Sequence, residues 1–389
     1  MSKYTIRSIL FVFVAFMLGC NEYMIVGVLP DIAREFHASL SSLGYIVTLF
    51  ALVYAISTPI ITSLAHHFKR HHLLFGLITI FLFGNTWTAM SSNYYSLLFS
   101  RIITACTAGA IISIVLIFGN FIAPLNKRAS LLSWIFAGFS IASVVGVPLG
   151  TMISTNFSWH MSFWLISILT IICLLLLIWL APRNTDQAAK KSTEKNNQFL
   201  LLADRRILFS VIFVVMVCAS QYTYYTYIRP LITNEMHFSY SWLNWLLLGL
   251  GLASIIGNKV GGLIADRGGM KLLPYIYSVM TLALVLLSVL IHVSWLAYAI
   301  AFLLSSLISA YGASTQVFFL DIATQDYPQS LDLASSLNSI FANVGISLGS
   351  FTAAQVAGIT SITTTGYVGA IYSLIGVLCL VIVCRILHK

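Results

Sequence analysis

Glu22 and Arg101 are the residues of this chain whose type and setting point most directly to chemistry, because each carries a charge inside a long apolar run. An ionisable side chain in such a run is costly and generally faces a cavity or a partner. Burial favours the protonated form of a carboxylic acid, whereas a neighbouring guanidinium favours the carboxylate. A motion that joins or separates the two groups therefore captures or releases a proton. The alternative is a permanent Glu22–Arg101 bridge that only fixes helix packing.

A second set of residues has the chemistry of ligand contact. Asn21, Asn85, Gln221, Tyr222, Tyr225, Asn338 and Asn343 are polar or aromatic positions in the middle of apolar runs. Tyr222, Tyr225 and Arg229 fall at i, i+3 and i+7, the spacing of one helix face. Such a stripe suits a neutral or anionic polar molecule that stacks on rings and accepts hydrogen bonds from Arg229. An aromatic belt at a membrane boundary would place Arg229 and Tyr227 equally well. His66, His67, His71 and His72 suggest a metal by spacing, but they lie beside Lys69 and Arg70 with no carboxylate or thiol nearby. A solvated loop is the simpler reading, and no metal is expected.

The elements that position these residues follow from composition. Of 389 residues, 59% are hydrophobic and only 8% charged, and the mean hydropathy is +0.95. A domain whose surface faces water does not have this balance, so lipid is the expected solvent. A membrane-crossing helix needs about 20 mainly apolar residues. Twelve can be placed, at about 7–29, 42–65, 73–91, 96–121, 130–154, 161–181, 207–229, 242–265, 272–292, 295–319, 332–358 and 366–386. The first is taken as a retained helix, because it has no small-residue cleavage site. The expected domains are an N-terminal bundle over 1–181, a cytoplasmic linker over 182–206 and a C-terminal bundle over 207–389.

Charge gives the orientation. With the N-terminus inside, sixteen of the 20 lysines and arginines are cytoplasmic, Arg34 and Arg229 are outside, and Arg101 and Lys259 fall within helices. Both termini are then cytoplasmic, and the formal charge of +9 is a topology signal. No nucleic-acid partner is implied. Lys259 reads as a snorkelling side chain, and Asp321, Asp326 and Asp332 as helix-flanking acids at the cytoplasmic surface. At about 1.5 Å per residue, Glu22 lies on the order of 12 Å below the outer end of helix 1, and Arg101 about 9 Å below that of helix 4. The six cysteines sit in apolar stretches without metal or disulfide spacing and are expected to be reduced.

Internal repetition divides the chain in two. Thr62–His72 corresponds to Gly262–Leu272, and Gly146–Gly150 to Gly345–Gly349, both at a displacement of about 200 residues. Several segments carry a resemblance as well. Asn21-Glu22-Tyr23 followed by Gly27-Val28-Leu29-Pro30-Asp31-Ile32-Ala33, Gly84-Asn85, Arg101 with Gly109, Thr226-Tyr227-Ile228-Arg229-Pro230, and Asn338 with Asn343-Val344-Gly345 resemble the drug:proton antiporter branch of the major facilitator superfamily. Within that branch the segments resemble in particular its arabinose-, sugar- and purine-efflux permeases. Helix 1 is similar to the family's Glu-containing helix ending in a Leu-Pro-x-Ile-Ala turn.

The resemblance implies an all-α membrane protein of twelve transmembrane helices in two pseudo-symmetric six-helix bundles, with substrate bound between them. The antiporter motif of helix 5 is represented by Gly146-Val147-Pro148-Leu149-Gly150, with Val147 inserted into the stricter Gly-Pro pairing. Its glycines and proline serve either bending or simple close packing. The Gly-x-x-x-Asp-Arg-x-Gly loop motif is present after helix 8 as Gly262, Asp266, Arg267 and Gly269, where the resemblance implies a gate. After helix 2 it is degraded, with Thr62 and His66 at the Gly and Asp positions.

The expected function is proton-coupled efflux, by antiport and alternating access, of a small polar metabolite or drug. Glu22 and Arg101 would couple the proton, and the inner membrane would be the site. A uniporter or importer of the same fold is the alternative. A membrane enzyme or receptor is disfavoured, because the chain has no Walker loop, no helical metal pair and no sizeable soluble domain. No cofactor beyond the proton gradient is expected, and the partners are a small-molecule substrate and the bilayer around a monomer. A single deep acid next to Arg101 argues against a multiply cationic cargo.

Overall fold

A chain segment in hydrocarbon must satisfy its own backbone hydrogen bonds, and a single apolar run does so only as an α-helix. The computed structural model describes residues 3–64, 68–124, 127–181, 200–266 and 269–387. Among them the regular structure is helical throughout, and twelve spans are long and apolar enough to cross a membrane. The first six spans are α1 (Lys3–Phe36), α2 (Leu40–Leu64), α3 (Arg70–Ala89), α4 (Tyr94–Ile122), α5 (Arg128–Asn156) and α6 (Trp159–Leu180).

The second six are less regular. A single turn, α7 (Leu200–Ala203), precedes α8 (Arg205–Tyr225), which is followed by the short α9 (Ile228–Pro230) and a π-helical turn over Leu231–Glu235. Then come α10 (Tyr240–Asp266), α11 (Leu273–Val289), α12 (Ser294–Ile308), α13 (Tyr311–Asp326), α14 (Leu331–Ile359) and α15 (Thr365–Leu387).

The chain groups into two compact units, Met1–Ala38 with Leu52–Glu194 and Ser39–Ala51 with Lys195–Lys389. Within the first, α1 packs against α4, α5 and α6. Small residues permit the α1–α5 approach: a Cβ on Gly150 would stand 3.0 Å from the Met24 carbonyl oxygen, and one on Gly146 would stand 3.0 Å from Tyr23 Cβ. Side chains tie the C-terminal halves of the two helices, with Thr151 Oγ1 donating to the Gly27 carbonyl at 3.2 Å and Ser154 Oγ to Asp31 at 2.5 Å. Trp159 Nε1, at the start of α6, donates to Glu35 at 2.6 Å.

Within the second unit α8 packs against α14 and α15. The glycines of α14 repeat the arrangement: a Cβ on Gly349 would stand 2.3 Å from the Ala219 carbonyl oxygen. The repeat in sequence is thus a repeat in packing.

Several expected boundaries move. Helix 1 continues through Pro30 to Phe36 instead of turning at the Leu-Pro pair. It stops where His37 takes a left-handed conformation, φ 51°, and Ala38 N bonds back to Ala33 O at 3.0 Å. Helix 7, expected over 207–229, ends at Tyr225, so Arg229 belongs to α9 and is not on the helix that carries Tyr222 and Tyr225. Pro230 has no N–H to continue the ladder, and the backbone re-forms as a π-turn.

Helix 10, expected unbroken over 295–319, is interrupted at Ser309–Ala310 and runs on to Asp326. Of the expected linker, 182–199 lie outside the described residues. Leu200–Ala203 and Arg205 onward are helical.

Candidate functional site

The buried charge of the first unit is held by an amide. Arg101, on α4 and 1% exposed, donates from Nη1 to Asn21 Oδ1 at 2.8 Å and from Nη2 to the Asn21 backbone oxygen at 3.3 Å. Its guanidinium carbon lies 5.5 Å from the centre of the Phe163 ring on α6, a cation–π contact that is strengthened by desolvation. The sequence suggested the Glu22–Arg101 relationship, but these direct hydrogen bonds go to the residue before Glu22.

Glu22 itself is half-buried, and among the described residues it takes part in no ion pair or side-chain hydrogen bond. It remains within the electrostatic reach of Arg101. In a site sparsely hydrated, such a through-space interaction is stronger than the same pair would have in water.

The candidate contact residues separate into sealed and accessible groups. Asn21 and Asn85 are fully buried inside the first unit, and Asn85 spends its Nδ2 on the Phe81 carbonyl at 2.9 Å. In the second unit Tyr222 and Arg229 are buried, while Gln221 and Tyr225 are half-buried. The Tyr222 and Tyr225 rings meet edge to face, with centroids 5.8 Å apart. Arg229, 2% exposed, is no boundary residue reaching into water.

Asn338 is half-buried and anchored to α13. It accepts from Thr315 Oγ1 at 3.0 Å and donates to Gln316 Oε1 at 3.1 Å and to the Gly312 carbonyl at 3.3 Å. Asn343 is buried and bonds within its own helix to Ser339 O at 3.1 Å.

Sequence reasoning gave Phe163, Thr315 and Gln316 no role in the site, although Phe163 follows the helix 5 motif in the pattern of the efflux permeases. Thr315 and Gln316 were visible as polar residues in an otherwise apolar run. Gly146, Pro148 and Gly150 lie in one unbroken helix whose glycines are in contact with α1. Gly262, on α10, has nothing within 4 Å of where a Cβ would stand, and Asp266 is the last residue of that helix. Arg267, like His66 and His67, lies outside the described residues.

His71 is buried and His72 exposed at the start of α3, and no metal-ligand cluster occurs among the described residues. Cys20, Cys106, Cys173, Cys218, Cys379 and Cys384 are all free thiols.

Comparison with known proteins agrees with this architecture. The Major Facilitator Superfamily profile matches residues 11–350. An uncharacterized MFS-type transporter of Bacillus subtilis, YtbD, is 31% identical over 92% of this chain and 90% of its own. A probable sugar efflux transporter of Mannheimia succiniciproducens is 28% identical over 96% of this chain and 92% of its own. Among solved structures, a D-xylose-proton symporter superposes with a TM-score of 0.75 at 16% identity, covering 98% of this chain and 97% of the other, a likeness of fold. With twelve membrane-spanning helices and a family match along most of its length, the chain belongs to the major facilitator superfamily and is a membrane transporter, not an enzyme.

Proposed function

We propose that this transporter exports a small, neutral, polar molecule, sugar-like in its density of hydroxyl groups, in exchange for protons. The observation that carries the reading is Glu22, a half-buried carboxyl in a membrane span, within the field of a sealed arginine. An exporter that alternates between two access states needs a group whose proton occupancy changes with its surroundings. A carboxyl beside a guanidinium supplies that.

The cargo class is supported by two further points. Gln221, Tyr225 and Asn338 retain exposure and offer amides and a ring-borne hydroxyl, the contacts that orient a polyhydroxylated solute. The relative from Mannheimia is named a probable sugar efflux transporter. Fold alone does not set direction, since the same architecture serves a symporter. A uniporter or importer is the competing reading. We take the protein to be an inner-membrane monomer, and the distribution of lysine and arginine supports cytoplasmic termini at both ends.

The test is sugar-driven proton movement in proteoliposomes, with neutral sugars and lipophilic drugs screened in parallel and Glu22→Gln as control. Proton exchange that Glu22→Gln abolishes while sugar flux persists is the expected result. Sugar flux without proton movement in the unaltered protein would replace antiport with facilitated diffusion. Robust export of lipophilic dications would overturn the cargo class.

A further inference from the structure

We infer that Asn21 is the positioning residue of the Glu22–Arg101 pair and not a contact for cargo, an inference that rests on the proton-coupling reading above. Asn21 is completely buried, so a solute does not reach it in this conformation. Two hydrogen bonds from one guanidinium end on this single residue, one on its side-chain oxygen and one on its backbone oxygen. That fork fixes both the place and the plane of the Arg101 head. Phe163 closes the face of the guanidinium.

Asn21 and Glu22 are neighbours in sequence, and successive residues of a helix point about 100° apart. When Asn21 turns into the unit, Glu22 is left on its edge, half-buried. The amide therefore keeps the guanidinium beside the carboxyl without giving it over as a direct ion pair.

This arrangement has a mechanistic consequence. A guanidinium bonded straight to Glu22 would hold the carboxylate form for as long as the bond lasted, so that a proton could cycle only by breaking it. A guanidinium held by a neutral amide acts on Glu22 through space, with an interaction that a small displacement of either helix changes. The other helices packed on α1 leave this relationship undisturbed. Arg101 on α4 is the charged group whose field reaches Glu22, α5 carries its only cation at its first residue, Arg128, and His160 on α6 lies at the outer end next to Glu35. Of the acids on α1 itself, Asp31 is occupied by Ser154 and Arg34, and Glu35 by Trp159.

The experiment uses a carbodiimide probe, which reacts with protonated carboxyls, on the purified full-length protein in lipid nanodiscs at pH 7.5. Labelling of Glu22 is quantified by mass spectrometry. Asn21→Ala releases Arg101 to bond Glu22 directly, and labelling is expected to fall several-fold. Asn21→Asp keeps an acceptor for Arg101 but neutralises it with a new carboxylate, and labelling is expected to rise.

Opposite shifts in the two variants support the inference, and any other pattern overturns it. If Asn21→Ala does not fold, as judged by gel filtration, the direction seen with Asn21→Asp decides alone. Failure here is distinct from failure of the proton reading: in that case Glu22→Gln proteoliposomes would still exchange protons, whatever the labelling shows.

Discussion

The hydroxyl of Tyr277, on α11, donates to the carbonyl oxygens of Leu307 at 3.2 Å and Ile308 at 3.4 Å, the last residues of α12. The tenth span is interrupted here at Ser309–Ala310: the Leu307 carbonyl keeps one short-range backbone partner, Ala310 N at 3.2 Å, and the Tyr277 hydroxyl adds a donor where the regular ladder stops. At the same break α10 comes close through Gly261, where a Cβ would stand 2.5 Å from the Ala310 carbonyl oxygen. The interruption is thus contacted by neighbours on α10 and α11, with no proline in the span.

Tyr277→Phe keeps the ring and its edge-to-face contact with Phe213, at 5.1 Å between centroids, and removes only the donor. The expected cost is about 0.5–1.5 kcal/mol, that of one ordinary hydrogen bond. Amide exchange should rise over residues 307–313 while α14 and α15 stay protected. Exchange unchanged at 307–313 would show that the break does not depend on the hydroxyl.

The two halves of the glycine repeat should differ in tolerance. A Cβ on Gly349 meets the Ala219 backbone oxygen at 2.3 Å, which cannot retreat without moving α8, whereas one on Gly146 meets the Tyr23 Cβ at 3.0 Å. Gly349→Ala is therefore expected to destabilise by about 1–3 kcal/mol, and Gly146→Ala by clearly less. Thermal unfolding followed by gel filtration distinguishes them. Equal midpoints would mean that α8 and α14 yield more readily than their contact suggests.

The fold was legible because twelve runs of apolar residues leave little alternative to twelve helices. What the sequence hid lies in rotation and in tertiary causes. Spans that are apolar around their whole circumference lack a polar stripe to define their facing, so the sequence placed Glu22 opposite Arg101 when Asn21, one residue and about 100° away, takes the hydrogen bonds. Helix 1 ends at Phe36 instead of near Leu29, so the depths counted from helix ends no longer agree, and it is the hydrogen bond itself that brings Asn21 and Arg101 together.

The break in span 10 has no proline to mark it, only Ser309 and Gly312, and the Tyr277 hydroxyl that meets it comes from another helix. The end of α8 did have one, since Pro230 follows Tyr225 closely, but an i, i+3, i+7 pattern through Arg229 concealed it.

The charge cluster at the start of α8 should respond to acid. Asp204 caps α8, accepting from Arg206 N at 2.8 Å and from the Arg206 guanidinium at 2.6 Å. The same guanidinium reaches Asp326, at the end of α13, at 2.5 Å. Burial alone would push the Asp204 carboxyl up, but the hydrogen bonds and charge of Arg206, with the Tyr327 hydroxyl at 3.4 Å, outweigh it and hold the group below its usual range. A carboxyl held lower in the folded state than in the unfolded one contributes stability that is present above its unfolded value, about 3.9, and fades as pH falls through the folded one.

Local opening of α7 and the first turn of α8 is therefore expected to be flat from neutral pH to about 4 and to increase below it. Arg206→Gln should show that opening already at neutral pH. Hydrogen exchange of 200–208, corrected for the intrinsic pH dependence of amide exchange, measures both. Equal protection in Arg206→Gln and the unaltered protein at neutral pH would mean that the ends of α8 and α13 are held by their apolar packing and not by this ion cluster.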